Sequence, residues 1–209
     1  MQVVDVFLAS ARVVAHAIAD STVAAAWDQP SVLEGQMVSG LAGHLCRAVL
    51  VVGSYLDGGE PAGPVDLDSA AGYFAASLGV MSADHHRAVR ERGAATASVG
   101  RAELLATLTE RTNALEPLLC RLGPSHLVTV IMGKVMRLGD YLGTRIVEMT
   151  VHLDDLARSV GREPWPLPEA AEALTITIGA EIGRRHLGAA TMLRALYRSG
   201  FAGNALPVL

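Results

Sequence analysis

The segment RIVEMTVHLDDL, residues 145–156, lies in an otherwise apolar stretch yet carries, besides Asp154, a set of four ionisable side chains: Arg145, Glu148, His152 and Asp155. At about 100° per residue on a helix, these side chains fall within an arc of roughly 80°. An apolar stripe borders the arc, so Glu148 and His152 are expected to point toward a protein interior. Because a buried carboxylate without a partner is costly, the fold must supply a counter-charge. The candidates are Arg145, three residues before Glu148, and a metal ion.

A metal site needs a third ligand beyond Glu148 and His152. Their i, i+4 spacing lets two side chains of one helix reach the same ion, but two ligands are too few for zinc. In QMVSGLAGHLCRAVLVVGSYL, residues 36–56, His44 shares the apolar face of an earlier helix and supplies the third ligand. Cys46 points to roughly the opposite side of that helix and is a poor fourth ligand.

Each candidate also has a purely structural interpretation. His44 would be a hydrogen-bonded core histidine, Arg145 a salt-bridge partner of Glu148, and Asp155 a partner of Arg158. The remaining histidines have no partner pattern and are predicted to be surface or structural residues: His16, His85, His86, His126 and His186.

The composition favours a single helical domain. The 209 residues are 51% hydrophobic, 18% charged and 4% aromatic, which suits helix packing by small and aliphatic side chains. A net charge of −4 argues against a nucleic-acid partner. Without a signal-peptide pattern or an apolar run of membrane-span length, we expect a cytoplasmic protein with no membrane partner. Cys46 and Cys120 are predicted to be small buried hydrophobes.

Hydrophobic periodicity, interrupted by glycine and proline, predicts an all-α protein in which four long helices form a bundle. Helices are expected over 3–26, 37–56, 67–80, 82–99, 101–122 and 138–160, with one or two more within 165–198. The stretch 125–135 is rich in β-branched residues and is predicted to be short and extended, or irregular. The tail after residue 198 is predicted to be irregular.

Two stretches resemble a known family. The run DYLGTRIVEMTVHLDDLARSVG resembles the R-x-x-E-x-x-x-H-x-x-D-L signature of the mycothiol-dependent maleylpyruvate isomerase family, part of the wider DinB-like group of metal-binding helical bundles. The run WDQPSVLEGQMVSGLAGHL resembles its other signature, in which a Trp and a Pro-Ser step precede a Gly-Trp-Thr-Val-like turn and a helix bearing a metal-binding histidine. Gln36–Met37 replace the Trp and small polar residue common in that turn, which affects local packing or substrate access rather than the ligands. The resemblance covers most of residues 1–165.

The resemblance implies a DinB-like four-helix bundle over residues 1–165 and a helical extension over 166–209 that packs on it. It also implies a Zn²⁺ or other divalent ion bound by His44, Glu148 and His152. The residues after 165 are too few for the sterol-carrier-like second domain of those isomerases.

The activity implied by the resemblance is a mycothiol S-transferase or a thiol-dependent isomerase. Such an enzyme binds a low-molecular-weight thiol, here mycothiol, as a metal-held thiolate and adds it to a small electrophile. Arg145 and Asp155 are expected to support catalysis around the metal. The alternative is a non-catalytic, metal-stabilised bundle with a binding or regulatory role, and either protein could be a monomer or a homodimer.

Overall fold

Helices dominate the computed structural model, which describes residues 2–78 and 82–199. In chain order they are α1 (Val3–Ala19), α2 (Ser21–Ala25), α3 (Val38–Leu56), α4 (Ala70–Leu78), α5 (Ala83–Ala97), α6 (Arg101–Leu122), α7 (Leu138–Ser159), α8 (Glu169–Leu187) and α9 (Ala189–Tyr197). Strands β1 (Leu127–Thr129) and β2 (Val135–Arg137) form a small antiparallel hairpin before α7. The predicted all-α fold is therefore confirmed.

The four long helices α1, α3, α6 and α7 pack around one hydrophobic core. Helix α5 lies along α3, α8 packs against α7, α4 and α1, and α9 packs against α8. This arrangement confirms the predicted bundle with additional C-terminal helices. The division of the chain at residue 165 remains a prediction.

The first helix is shorter than the expected 3–26. Helix α1 ends at Ala19, and Asp20 takes an extended backbone conformation that starts α2. The Asp20 carboxylate accepts a hydrogen bond from the Thr22 backbone N–H at 2.9 Å, which is the standard N-cap contact. Arg162 forms an ion pair with the same carboxylate. The N-cap contact and the ion pair with Arg162 thus interrupt the helix at Asp20, although the hydrophobic periodicity continues past this residue.

The other predicted bounds agree closely where they can be compared. The helices expected over 101–122 and 138–160 are α6 and α7, and the region 165–198 contains both α8 and α9. The short helix expected over 67–80 is Ala70–Leu78, while residues 79–81 lie outside the described part of the chain. Most of the tail predicted to be irregular, residues 200–209, is also outside it.

The cysteine prediction is correct for one residue and wrong for the other. Cys46 is fully buried, and burial raises the pKa of its thiol to about 12. Cys120 is exposed, because it lies on the solvent side of the largely polar helix α6.

Helix α3 is the apolar centre of the bundle. By length and composition alone it could cross a membrane, with a mean hydropathy of 1.2 over its most apolar window. However, 56% of that window is buried inside the protein, as the central helix of a bundle requires. Its apolar character therefore has an explanation in the packing of the core.

Helices α3 and α5 touch backbone to backbone through glycines. A Cβ on Gly43 would lie 2.1 Å from the Gly93 carbonyl oxygen, and one on Gly93 would lie 2.6 Å from the Gly40 carbonyl oxygen. The position of a Cβ on Gly93 is also 3.3 Å from the Cβ of His44. This close contact sets α5 directly beside His44.

We expect Gly43→Ala to destabilise the protein by about 1–3 kcal/mol, because the new methyl group forces α5 away from α3. Gly53→Ala is the matched control on the same helix, since its Cβ would meet only Leu115 Cδ2, at 4.0 Å. That control should stabilise the protein by about 0.5–1 kcal/mol through helix propensity. Urea unfolding of both variants measures the difference, and equal stabilities would contradict the close contact.

Candidate metal centre

The predicted ligands meet because α3 and α7 run antiparallel. The imidazoles of His44 and His152 lie at one level of the helix pair, with ring centroids 4.7 Å apart. At another level, Tyr55 lies against Tyr141, with ring centroids 5.3 Å apart. Tyr55 comes after His44 in α3, whereas Tyr141 comes before His152 in α7, so the two helices run in opposite directions. This orientation brings His44 opposite the polar face of α7.

Three side chains converge on one point: His44, Glu148 and His152. The Glu148 Oε2 atom is 3.2 Å from His44 Nε2 and 3.5 Å from His152 Nε2. One ligand atom from each residue lies within 4.8 Å of the other two, so the group can hold a metal ion. Ligand atoms of a tetrahedral zinc ion are about 3.3 Å apart, so the two carboxylate–imidazole separations already suit such an ion.

Asp155 orients one of these imidazoles. Its Oδ2 atom is 2.9 Å from His152 Nδ1, which leaves His152 Nε2 directed at Glu148. A carboxylate on the outer nitrogen of a histidine fixes its tautomer and ring orientation, as at many metal sites. Asp155 Oδ1 is also 3.8 Å from Arg158, so the alternative pairing exists alongside the contact with His152.

The cluster is strongly polarised. Burial by itself would raise the pKa of Glu148, but hydrogen bonds with His152 and His44 and the charge of Arg145 hold it well below its usual range. Burial by itself would lower the pKa of His152, but hydrogen bonds with Asp155 and Glu148 raise it to about 9. Without a metal, an ionised Glu148 therefore faces a protonated His152 at neutral pH.

The cluster is reachable from solvent. The side chains of His44, Glu148 and His152 are 20%, 23% and 24% exposed, respectively. A site enclosed on all sides by protein would show almost no exposure at its ligands. The three side chains are therefore partly exposed and not sealed inside the bundle.

Arg145 does not form the predicted alternative salt bridge with Glu148. Its Nε donates to Thr144 Oγ1 at 3.0 Å, and Nη2 reaches the Tyr73 hydroxyl at 3.5 Å. The guanidinium carbon lies 5.6 Å from the ring centroid of Tyr73 and 5.1 Å from that of Tyr141. The two histidines surround the Glu148 carboxylate, and the arginine is directed to the aromatic side instead.

The other histidines lie apart from the cluster in the described part of the chain. His126 pairs with Glu60, at 3.3 Å. His16, His86 and His186 are exposed, and none of the five is among the residues grouped as possible metal ligands.

Sequence reasoning missed the surroundings of Arg145 and of His44. Tyr141 is four residues before Arg145 on the same helix, so its spacing was a usable signal. Tyr73 comes from α4, and nothing in the sequence relates it to α7. Gly93 brings α5 next to His44, which a helical pattern likewise does not reveal.

The sequence profile of the mycothiol maleylpyruvate isomerase N-terminal domain family matches residues 7–157, which is more than half of the chain. The chain belongs to this family. The match includes α3 and nearly all of α7, and with them all three residues of the cluster. Comparisons with curated proteins and with solved structures gave no significant match.

Asp155→Asn should weaken zinc binding about ten- to a hundredfold, because the amide no longer fixes the His152 ring as a carboxylate does. Asp154→Asn is the matched control, since Asp154 is exposed on the outer side of the same turn. Competition with a zinc-binding dye measures both affinities. Equal affinities in the two variants would show that Asp155 has no influence on the site.

Metal binding should release about one proton near pH 7, because His152 carries a proton there in the metal-free protein and must lose it to become a ligand. As the pH rises through the His152 pKa of about 9, that release should decline and the affinity should increase. Calorimetric titrations in two buffers with different ionisation enthalpies count the protons. A count near zero at neutral pH would contradict the protonated state of His152.

Proposed function

We propose that this protein is a metal-dependent enzyme that adds a low-molecular-weight thiol to a small electrophile. In this proposal, His44, Glu148 and His152 hold a divalent metal, with Zn²⁺ as the preferred ion. We propose mycothiol as the thiol, because the family to which the chain belongs is named after it. The observation that carries the proposal is the convergence of three ligand atoms within 4.8 Å on a side of the bundle that solvent can reach.

The donor set suits thiol chemistry. Two neutral imidazoles and one carboxylate leave a net charge of +1 on a Zn²⁺ site, which a single thiolate neutralises. A divalent metal at this position would lower the pKa of a thiol bound to it and so supply the thiolate nucleophile at neutral pH. Structural zinc sites are closed, with four protein ligands, whereas catalytic sites keep a position for a ligand. Three ligands with an accessible side therefore favour an enzyme over the non-catalytic alternative.

Glu148 and the two residues that flank the ligands each have a defined task in this proposal. Asp155 holds His152 Nδ1, so that Nε2 remains directed at the ligand position. Glu148 stays ionised over the physiological pH range because its pKa is held low. Arg145 adds positive charge close to the cluster, which favours an anionic thiol over a neutral one. Arg145 and Asp155 thus support catalysis without binding the metal.

Both transfer and isomerisation begin with the same thiolate addition, and we propose S-transfer as the primary activity. An isomerase requires the thiol to leave again, whereas a transferase retains it in the product. We further propose a cytoplasmic protein, monomeric or homodimeric, that acts on small molecules and binds neither nucleic acid nor membrane.

The test is metal content combined with thiol binding. We expect about one metal ion per chain by elemental analysis and a higher melting temperature on addition of mycothiol, with the increase lost after chelation. His152→Ala and Glu148→Gln should lose the metal and the response to mycothiol together. His16→Ala, which alters an exposed histidine, is the matched control and should keep both.

Full metal occupancy in His152→Ala would contradict the ligand assignment. A metal-loaded protein that shows no response to mycothiol would contradict the thiol chemistry and favour the binding-protein alternative.

A further inference from the structure

We propose that the Arg145 guanidinium and the Tyr73 hydroxyl form a subsite for an anionic oxygen of the electrophile, beside the His44–Glu148–His152 cluster. The inference rests on the proposed function in one respect, because that function identifies the ligand as an electrophile. Its structural basis is a partly buried cation that has no anionic partner within the described residues and leaves most of its donors unused.

The contacts of Arg145 are few for a partly buried guanidinium. The group has five N–H donors. Nε donates to Thr144 Oγ1 at 3.0 Å, and Nη2 reaches the Tyr73 hydroxyl only at 3.5 Å, the outer limit of a hydrogen bond. Within the described residues, no carboxylate forms an ion pair with it. A cation withdrawn from water normally has an anionic partner, so this one has capacity to bind an anion.

Aromatic rings flank the guanidinium without neutralising it. Its central carbon is 5.6 Å from the centroid of Tyr73 and 5.1 Å from that of Tyr141, which is the range of cation–π attraction. Tyr73 and Tyr141 are 8% and 1% exposed, so they exclude water from this side of the cation. Exclusion of water strengthens any hydrogen bond that the guanidinium then makes to an anionic oxygen.

The Tyr73 hydroxyl can donate to the same ligand. It accepts its hydrogen bond from Arg145, so its own proton remains available for another oxygen. Burial raises the pKa of Tyr73, so the phenol keeps that proton at neutral pH. A guanidinium and a phenol side by side offer two kinds of donor to one anionic oxygen.

The subsite lies next to the candidate metal centre. Arg145 precedes Glu148 by three residues on α7, which places their side chains on the same face of the helix. Glu148 Oε2 is in turn 3.2 Å from His44 Nε2 and 3.5 Å from His152 Nε2. A small electrophile can therefore contact Arg145 and still reach a thiol at the cluster.

A purely structural role for Arg145 makes a different prediction. If the guanidinium only joins α4 to α7 by stacking between Tyr73 and Tyr141, the Tyr73 hydroxyl is dispensable and no anion binds. Tyr73→Phe separates the two roles, because it keeps the ring and removes only the hydroxyl. The 3.5 Å contact that it removes is weak, so the variant is expected to fold.

The anionic oxygen has two possible sources in the electrophile. It is either a carboxylate that the substrate carries throughout or the oxyanion that forms when the thiolate adds to an enone. In the second case a new S–C bond forms, the C=C electron pair shifts, and the carbonyl oxygen becomes an enolate. Water then protonates the α-carbon, which restores the carbonyl group, and the remaining hydroxide is neutralised by the proton that the thiol lost when it became a thiolate. Arg145 and the Tyr73 hydroxyl would stabilise the negative oxygen in both cases.

The first arm of the test measures anion binding to metal-free protein, so that no metal can bind the probe. Butyrate and the uncharged butyramide are compared by melting temperature at constant ionic strength. If the substrate carries a carboxylate, butyrate should raise the melting temperature and butyramide should not. Tyr73→Phe and Arg145→Lys should lose the effect, whereas the matched control Tyr197→Phe, at a tyrosine that is 71% exposed, should retain it.

The second arm measures addition of mycothiol to methyl vinyl ketone, a neutral enone, by the metal-loaded protein. If the subsite stabilises a developing oxyanion, Tyr73→Phe should lower kcat by about a hundredfold, the usual effect of losing one such donor, with little change in KM. Tyr197→Phe should again match the parent protein.

Loss of butyrate binding in Tyr73→Phe identifies the carboxylate source, and a lower kcat with the neutral enone identifies the oxyanion source. If Tyr73→Phe and Arg145→Lys match the parent protein in both arms, the subsite is wrong, whether or not the enzyme transfers thiols. Conversely, butyrate binding that depends on Arg145 in a protein without thiol activity would uphold the anion subsite and overturn the proposed function.

Discussion

The Glu148 carboxylate, held between two imidazoles from different helices, is the interaction on which the centre of this bundle depends. An ionised carboxylate at a helix interface needs strong partners, and here they come from His152 on its own helix and His44 on α3. Because His44 has to lie opposite Glu148, the register of α3 against α7 is constrained. The contact between Tyr55 and Tyr141 further along the pair is consistent with that register.

The glycine contact between α3 and α5 brings a third helix to the same centre. With Gly43 and Gly93 at the crossing, the two backbones approach more closely than any side chain would allow. Helix α5 is thereby placed beside His44, although its own sequence is polar and offers little apolar surface for packing. The composition of α5 alone does not explain why this helix lies against the core. The close backbone contact at Gly43 and Gly93, which have no side chains, does explain it.

The sequence predicts part of this centre because helical geometry is local. Glu148, His152 and Asp155 are neighbours at i, i+4 and i+7, so any helix over that segment brings them together. His44 could be predicted from the apolar face on which it lies. The surroundings of Arg145 could not, because Tyr73 arrives on a separate short helix whose position depends on the packing of α4 against α7 and α8. For the same reason the i, i+3 salt bridge with Glu148 was a fair local expectation that tertiary structure overrides.

The charges along α7 explain how Glu148 is neutralised without an ion and what a bound ion would change. Without a metal, the proton on His152 balances Glu148, and Asp155 in turn stabilises that proton. In the proposed metal-bound form, the ion would replace the proton as the counter-charge, and Asp155 would continue to orient the same ring. Arg145 forms no ion pair with Glu148, because its guanidinium is directed to the tyrosines, and this is why we assign its positive charge to an anionic ligand of the site.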